Sequence, residues 1–149
     1  MNLVSKVSFF VEELFKMNPV VNTTTFIKTV DMDLNKENIY PLVNIDIQNM
    51  TVSDQLVYIN YEITILEQRD ISPVSNNDKM FGSNLIDNLN ESSYIAIKFI
   101  NAITRTDNEN NINIDNISDI EFIKNERENG LDGCRFYIEL SIYNNISGC

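Results

Sequence analysis

Residues 54 to 68, DQLVYINYEITILEQ, alternate apolar and polar side chains over more positions than an ordinary strand uses. Val57, Ile59, Tyr61, Ile63 and Ile65 fall on one face, and Tyr58, Asn60, Glu62 and Thr64 on the other, which is the period of a half-buried β-strand. Such a strand, if straight, reaches about 50 Å, whereas a compact domain of this chain length has a radius of gyration of only about 15 Å. The strand therefore bends sharply or runs past its own core and offers an end to a neighbour.

The segments around it supply partners. Leu3, Val4, Val7, Phe10, Val11, Leu14 and Phe15 recur at helical spacing over residues 2 to 17, which predicts an amphipathic helix that packs on a sheet. Asn18 and Pro19 stop it, because proline disfavours helix at the residue before it. TTTFIKTV, residues 23 to 30, is β-prone, residues 31 to 39 read as a polar loop, and YPLVNIDI, residues 40 to 47, is a strand with Val43, Ile45 and Ile47 inward. Pro41 suits a strand start. QNMTVSD then returns the chain into the long strand.

RDISPVSNNDKMFGS, residues 69 to 83, is a linker rich in turn-formers. A second helix runs from about Ser83 to Arg105 and carries two apolar stripes: Leu85, Ile86, Leu89, Ala96, Ile97, Ile100 and Ile103 on one, Ile95, Phe99 and Ala102 on the other. Two stripes imply two partners, both inside one subunit or one of them an adjacent subunit. After the Asn-rich TDNENNINIDN, a strand from Ile120 to about Lys124 and the turn ENGLDG lead into a last strand from Cys134. There Cys134, Phe136, Ile138, Leu140 and Ile142 oppose Arg135, Tyr137, Glu139, Ser141 and Tyr143, a one-sided antiparallel pattern. The fold class expected is α+β in a single domain, residues 1 to 149: an antiparallel sheet with one long strand and a C-terminal hairpin, two amphipathic helices packed on one face. The 149 residues, 43% hydrophobic, suffice for one such core.

Chemistry is scarce in this chain. It has no histidine, which removes Ser-His and Cys-His nucleophiles and most transition-metal sites. Cys134 falls on an apolar strand face and reads as a buried inert thiol; Cys149 is the only other cysteine, and a bond between the two is not expected in a reducing cytoplasm. Asp31, Asp33, Asn35 and Glu37 alternate as in a calcium loop, but Lys36 replaces the glycine and Leu42 the closing glutamate. Asp107, Glu109 and Asn111 make a second partial match, broken by Ile112 and Ser118. Asp46, Glu121 and Lys124 resemble a nuclease set without its E-x-K spacing. With 4 glycines there is little material for a phosphate loop. No catalytic, cofactor-binding or metal residue is nominated, and the chain is not expected to be an enzyme or to carry a cofactor.

The net charge of −11, from 22 acidic and 11 basic residues, argues against a surface that grips phosphate or anionic lipid. No apolar run is long enough to span a bilayer, and Glu12 and Glu13 break the opening segment as a signal peptide. The residues nominated for a subunit interface are Ile95, Phe99, Tyr58, Leu66, Tyr137 and Tyr143.

The order of elements, the tyrosine-proline leading into YPLVNIDI, the long strand closing on Glu67-Gln68-Arg69-Asp70, the YIAIKFINAI helix and the final GLDGCRFYIELSIYNNISGC together resemble the tail-completion or tail-terminator-like neck proteins of tailed bacteriophages. The resemblance implies a structural virion protein forming a cyclic homo-oligomeric ring at the head-to-tail junction, between portal or adaptor and tail proteins. DNA then passes nearby without being held, and the location is the virion, with host cytoplasm during assembly. An acidic surface suits such a channel, its repulsion screened over about 8 Å at physiological salt. The alternatives are a soluble acidic adaptor or assembly chaperone, and a divergent carboxylate- and metal-dependent hydrolase.

Overall fold

The computed structural model describes residues 3–26, 39–69, 84–105, 111–126 and 130–144. Its centre is the long alternating segment, which forms β3 (Leu56–Gln68). On one side β3 pairs antiparallel with β6 (Leu131–Tyr143) along its whole length, from Leu56 opposite Tyr143 to Gln68 opposite Leu131. On the other it pairs with β2 (Leu42–Val52), from Leu66 opposite Leu42 to Val57 opposite Val52, with an irregularity between Ile47 and Asn49. Three short strands complete the sheet. β1 (Thr23–Thr25) lies parallel to the start of β2, while β4 (Asn113–Ile117) and β5 (Glu121–Glu126) both pair with β6. The order is β1-β2-β3-β6-β4, with β5 also on β6.

Alternation then decides where the core sits. Val43, Ile45, Val57, Ile59, Tyr61, Ile63, Ile65, Cys134, Phe136, Ile138, Leu140 and Ile142 share one face, and α1 (Leu3–Lys16) and α2 (Leu85–Arg105) bury it with Val7, Val11, Phe15, Ile95, Ala96, Phe99 and Ile103. Phe15 and Phe99 stack at 4.1 Å between ring centroids, and Phe99 leans on Phe136 at 6.2 Å. Tyr61 reaches through the core to Ser8 of α1, hydroxyl to hydroxyl at 3.0 Å. Burial holds its phenol at about 12. A second, smaller cluster of Tyr40, Leu42, Leu66, Ile123 and Leu131 covers one end of the opposite face.

The α+β class, the helices against one face of a mostly antiparallel sheet and the C-terminal hairpin of β5 and β6 are as the sequence predicts. Four details differ. The long strand does not run past its core, because β6 is equally long and the helices bury Val57 and Ile59 as well as Ile65; β2 is the strand whose later half stands exposed. QNMTV extends β2, and the reversal falls at Ser53, whose backbone N–H donates to the Leu56 carbonyl at 2.8 Å. The last strand starts at Leu131, directly after Gly130 at φ 63° makes the turn. The Asn-rich stretch contains β4, because Ile112, Ile114 and Ile117 pack on the core while its asparagines stay outside, a tertiary override of poor strand propensity.

Candidate assembly surface

The face of β3 and β6 turned away from the helices carries Tyr58, Asn60, Glu62, Arg135, Tyr137, Glu139 and Tyr143. Alternation puts them there by the same register that sends the isoleucines inward. Tyr137 and Tyr143 are 44% and 54% exposed and Tyr58 is half-buried. Ile95, Phe99 and Leu66, at 1%, 2% and 4%, lie inside the chain: the first two in the main core, the third in the smaller cluster. Their periodicity reports burial by this chain's own elements, so these three have no surface left for a neighbouring subunit. The three tyrosines do, and they share one face.

The same face is acidic. Asp46 stands opposite Glu62, Asn60 opposite Glu139, and Glu121 opposite Arg135. Arg135 Nε lies 2.9 Å from Glu62 Oε1, and Asp46, Glu121 and Glu139 share the face with that pair. Asn60 donates to Asn49 Oδ1 at 2.6 Å, tying β3 to the exposed half of β2. Beyond it, on the helix side of the sheet, Ile47, Met50 and Val52 are large apolar groups in the open.

At the other end of β3 lies a polar cluster that periodicity did not reveal. Arg69 donates to both carboxylate oxygens of the fully buried Asp132, at 3.0 Å to Oδ2 and 2.6 Å to Oδ1. Asn88 of α2 donates to Asp132 Oδ2 at 3.1 Å and to the Gln68 carbonyl at 3.2 Å. Beside them Glu67 faces Glu91. Its burial, and then the Glu91 carboxylate, push the Glu67 acid up to about 8. The signal available in the sequence was Asp132 on the inward parity of the last strand, a charge that needs a partner.

Cys134 is buried, its Sγ 3.6 Å from the Ser92 carbonyl oxygen, and burial raises its thiol to about 12. That environment suppresses the nucleophilic thiolate. Cys149 and the calcium-loop-like positions Asp31, Asp33, Asn35, Glu37, Asp107 and Glu109 lie outside the described residues. Among the described residues no group of three or more His, Cys, Asp or Glu could hold a metal ion. Asp46 and Glu121 sit on β2 and β5, three strand spacings apart, or about 14 Å, too far to share one. No helix among the described residues is long and apolar enough to cross a membrane. In comparisons with known proteins, no family model and no curated protein matches the chain.

Proposed function

We propose that the chain is a structural subunit of a ring at the head-to-tail junction of a tailed bacteriophage, joining portal or adaptor proteins to the tail around the DNA path. The observation that carries the reading is the one-sided sheet: helices cover one face, while the other presents Tyr58, Tyr137 and Tyr143 among Asp46, Glu62, Glu121 and Glu139. Tyrosines supply contact area with a polar end and are enriched at protein interfaces. The carboxylates suit a wall past which DNA slides without being held. The likeness in element order and in the YPLVNIDI and YIAIKFINAI segments supplies the particular assembly.

Deleting the gene from its phage tests this directly. Filled heads and separate tails are expected, with joining restored by the gene in trans; normal joined particles overturn the proposal. The acidity also favours a second reading, an adaptor or assembly chaperone that meets a basic partner transiently. Mass spectrometry of purified particles separates the two, since a ring subunit stays in the finished virion and a chaperone does not.

A further inference from the structure

Two edges of the sheet lack a neighbouring strand among the described residues, and they stand at the same end of it. β1 covers only Leu42–Asn44 of β2, which leaves the outer edge of β2 open from Ile47 to Val52. β4 has β6 on one side and no described strand on the other. The registers through β3 and β6 set these two edges level. Ile47 and Ile117 end one row of the sheet, Asn49 and Asn116 the next, then Met50 and Ile114, then Thr51 and Asn113. Each edge strand has one irregularity, Ile47/Asn49 in β2 and Ile114/Asn116 in β4, and the rows stay in step across all four strands. An open edge is a template for another strand, and lysine or proline commonly blunts it. Residues 47 to 53, IQNMTVS, contain neither, nor any charge. Ile47, Met50 and Val52 stand 41%, 51% and 61% exposed along the same edge.

A second copy of the chain fits both edges at once, whereas a foreign strand would fill one and leave the other open. The β2–β3, β3–β6 and β6–β4 pairs are all antiparallel, so β4 runs opposite to β2. The β2 of another copy laid beside β4 therefore continues the same antiparallel sheet. In step, Ile114 and Ile117 meet Met50 and Ile47 of that copy on the helix side, and Asn113 and Asn116 meet its Thr51 and Asn49 on the other. The net charge of −11 opposes self-association in general, but the one charge in residues 47–53 and 113–117 is Asp115, so like charges do not face one another across this seam. We propose that the outer edge of β2 in one copy pairs antiparallel with β4 of the next, main chain to main chain, joining the sheets of successive copies. A head-to-tail contact of this kind makes a ring when its rotation closes. The inference rests on the ring reading for that closure alone.

Sedimentation equilibrium of the purified full chain tests the seam without the phage. The parent chain should associate beyond a dimer at concentrations up to about 1 mM, the weak end of measurable affinity. The double variant Met50→Lys, Val52→Lys places charge on the β2 edge at two exposed positions and should stay monomeric while melting like the parent. Thr51 and Asn113, both exposed, end the same row and report which edges meet. Thr51→Lys with Asn113→Glu should associate at least roughly threefold more tightly than Thr51→Lys with Asn113→Lys, the difference between an opposite and a like cross-strand pair. A monomer at every concentration overturns the proposal, as does undiminished association of the Met50→Lys, Val52→Lys variant. Equal association of the two Thr51→Lys variants also overturns it, since two β2 edges would then be meeting each other. Gene deletion reads the ring and sedimentation reads the seam, so either result fails without the other.

Discussion

A Cβ on Gly133 would stand 1.8 Å from the backbone carbonyl oxygen of Ile65. That atom belongs to the central strand and cannot swing aside as a side chain could, so Gly133→Ala forces β3 and β6 apart where they pair. Urea unfolding should show a loss of about 3 kcal/mol, the upper part of the range for overpacking. Glu67 sets a pH dependence. Its folded-state acid is raised from the ordinary 4.5 to about 8 by burial and by Glu91, so the folded chain holds a proton that the unfolded chain releases earlier. The stability tied to that proton is whole below about pH 4.5 and is lost progressively as pH rises toward about 8. In Glu67→Gln that slope should flatten, and the variant should be the more stable protein at pH 8. Thermal melts of both proteins from pH 4 to 9 check this, and parallel curves would refute it.

The elements are held together by more than their apolar faces. Arg69 closes the end of β3, Asp132 lies near the start of β6, and Asn88 lies one turn into α2. Their hydrogen bonds join the two central strands and the helix above them. Arg69→Met leaves Asp132 buried without its countercharge and should cost about 3 to 5 kcal/mol in urea unfolding. The double variant Arg69→Met, Asp132→Leu removes the stranded charge along with its partner, and should recover most of that loss. If the double variant is as unstable as the sum of the two single ones, the pair is not coupled. Element existence was legible here because both helices and the three long strands carry strong 3.6- or 2-residue periods. β4 was not legible, since Asn113, Asp115 and Asn116 are poor strand formers and only contact with β6 makes Asn113–Ile117 a strand.

For the whole molecule the decisive asymmetry is helices on one side of the sheet and tyrosines with carboxylates on the other. Replacing Tyr58, Tyr137 and Tyr143 together by serine should change stability little, each surface position contributing within about 0.5 kcal/mol. The same triple variant should fail to restore head-to-tail joining in the deleted phage. A variant that melts like the parent chain and still restores joining would remove this face from the interface.

By itself the sequence determined the α+β class, the central place of residues 56 to 68, the C-terminal hairpin and the parity of β3, β6 and the first half of β2, because period-2 and period-3.6 patterns state which side chains share a face. A pattern of that kind does not state what covers the face. Only the tertiary structure decided that Ile95 and Phe99 close the chain's own core, that Leu66 is capped by Tyr40 and Ile123, and that β2 continues exposed to Val52. Each of those outcomes depends on which distant segment arrives, and one residue's neighbours along the chain carry no record of it. The Arg69–Asp132 pair, 63 positions apart, is the plainest case: neither residue is unusual until the β3–β6 register places one beside the other.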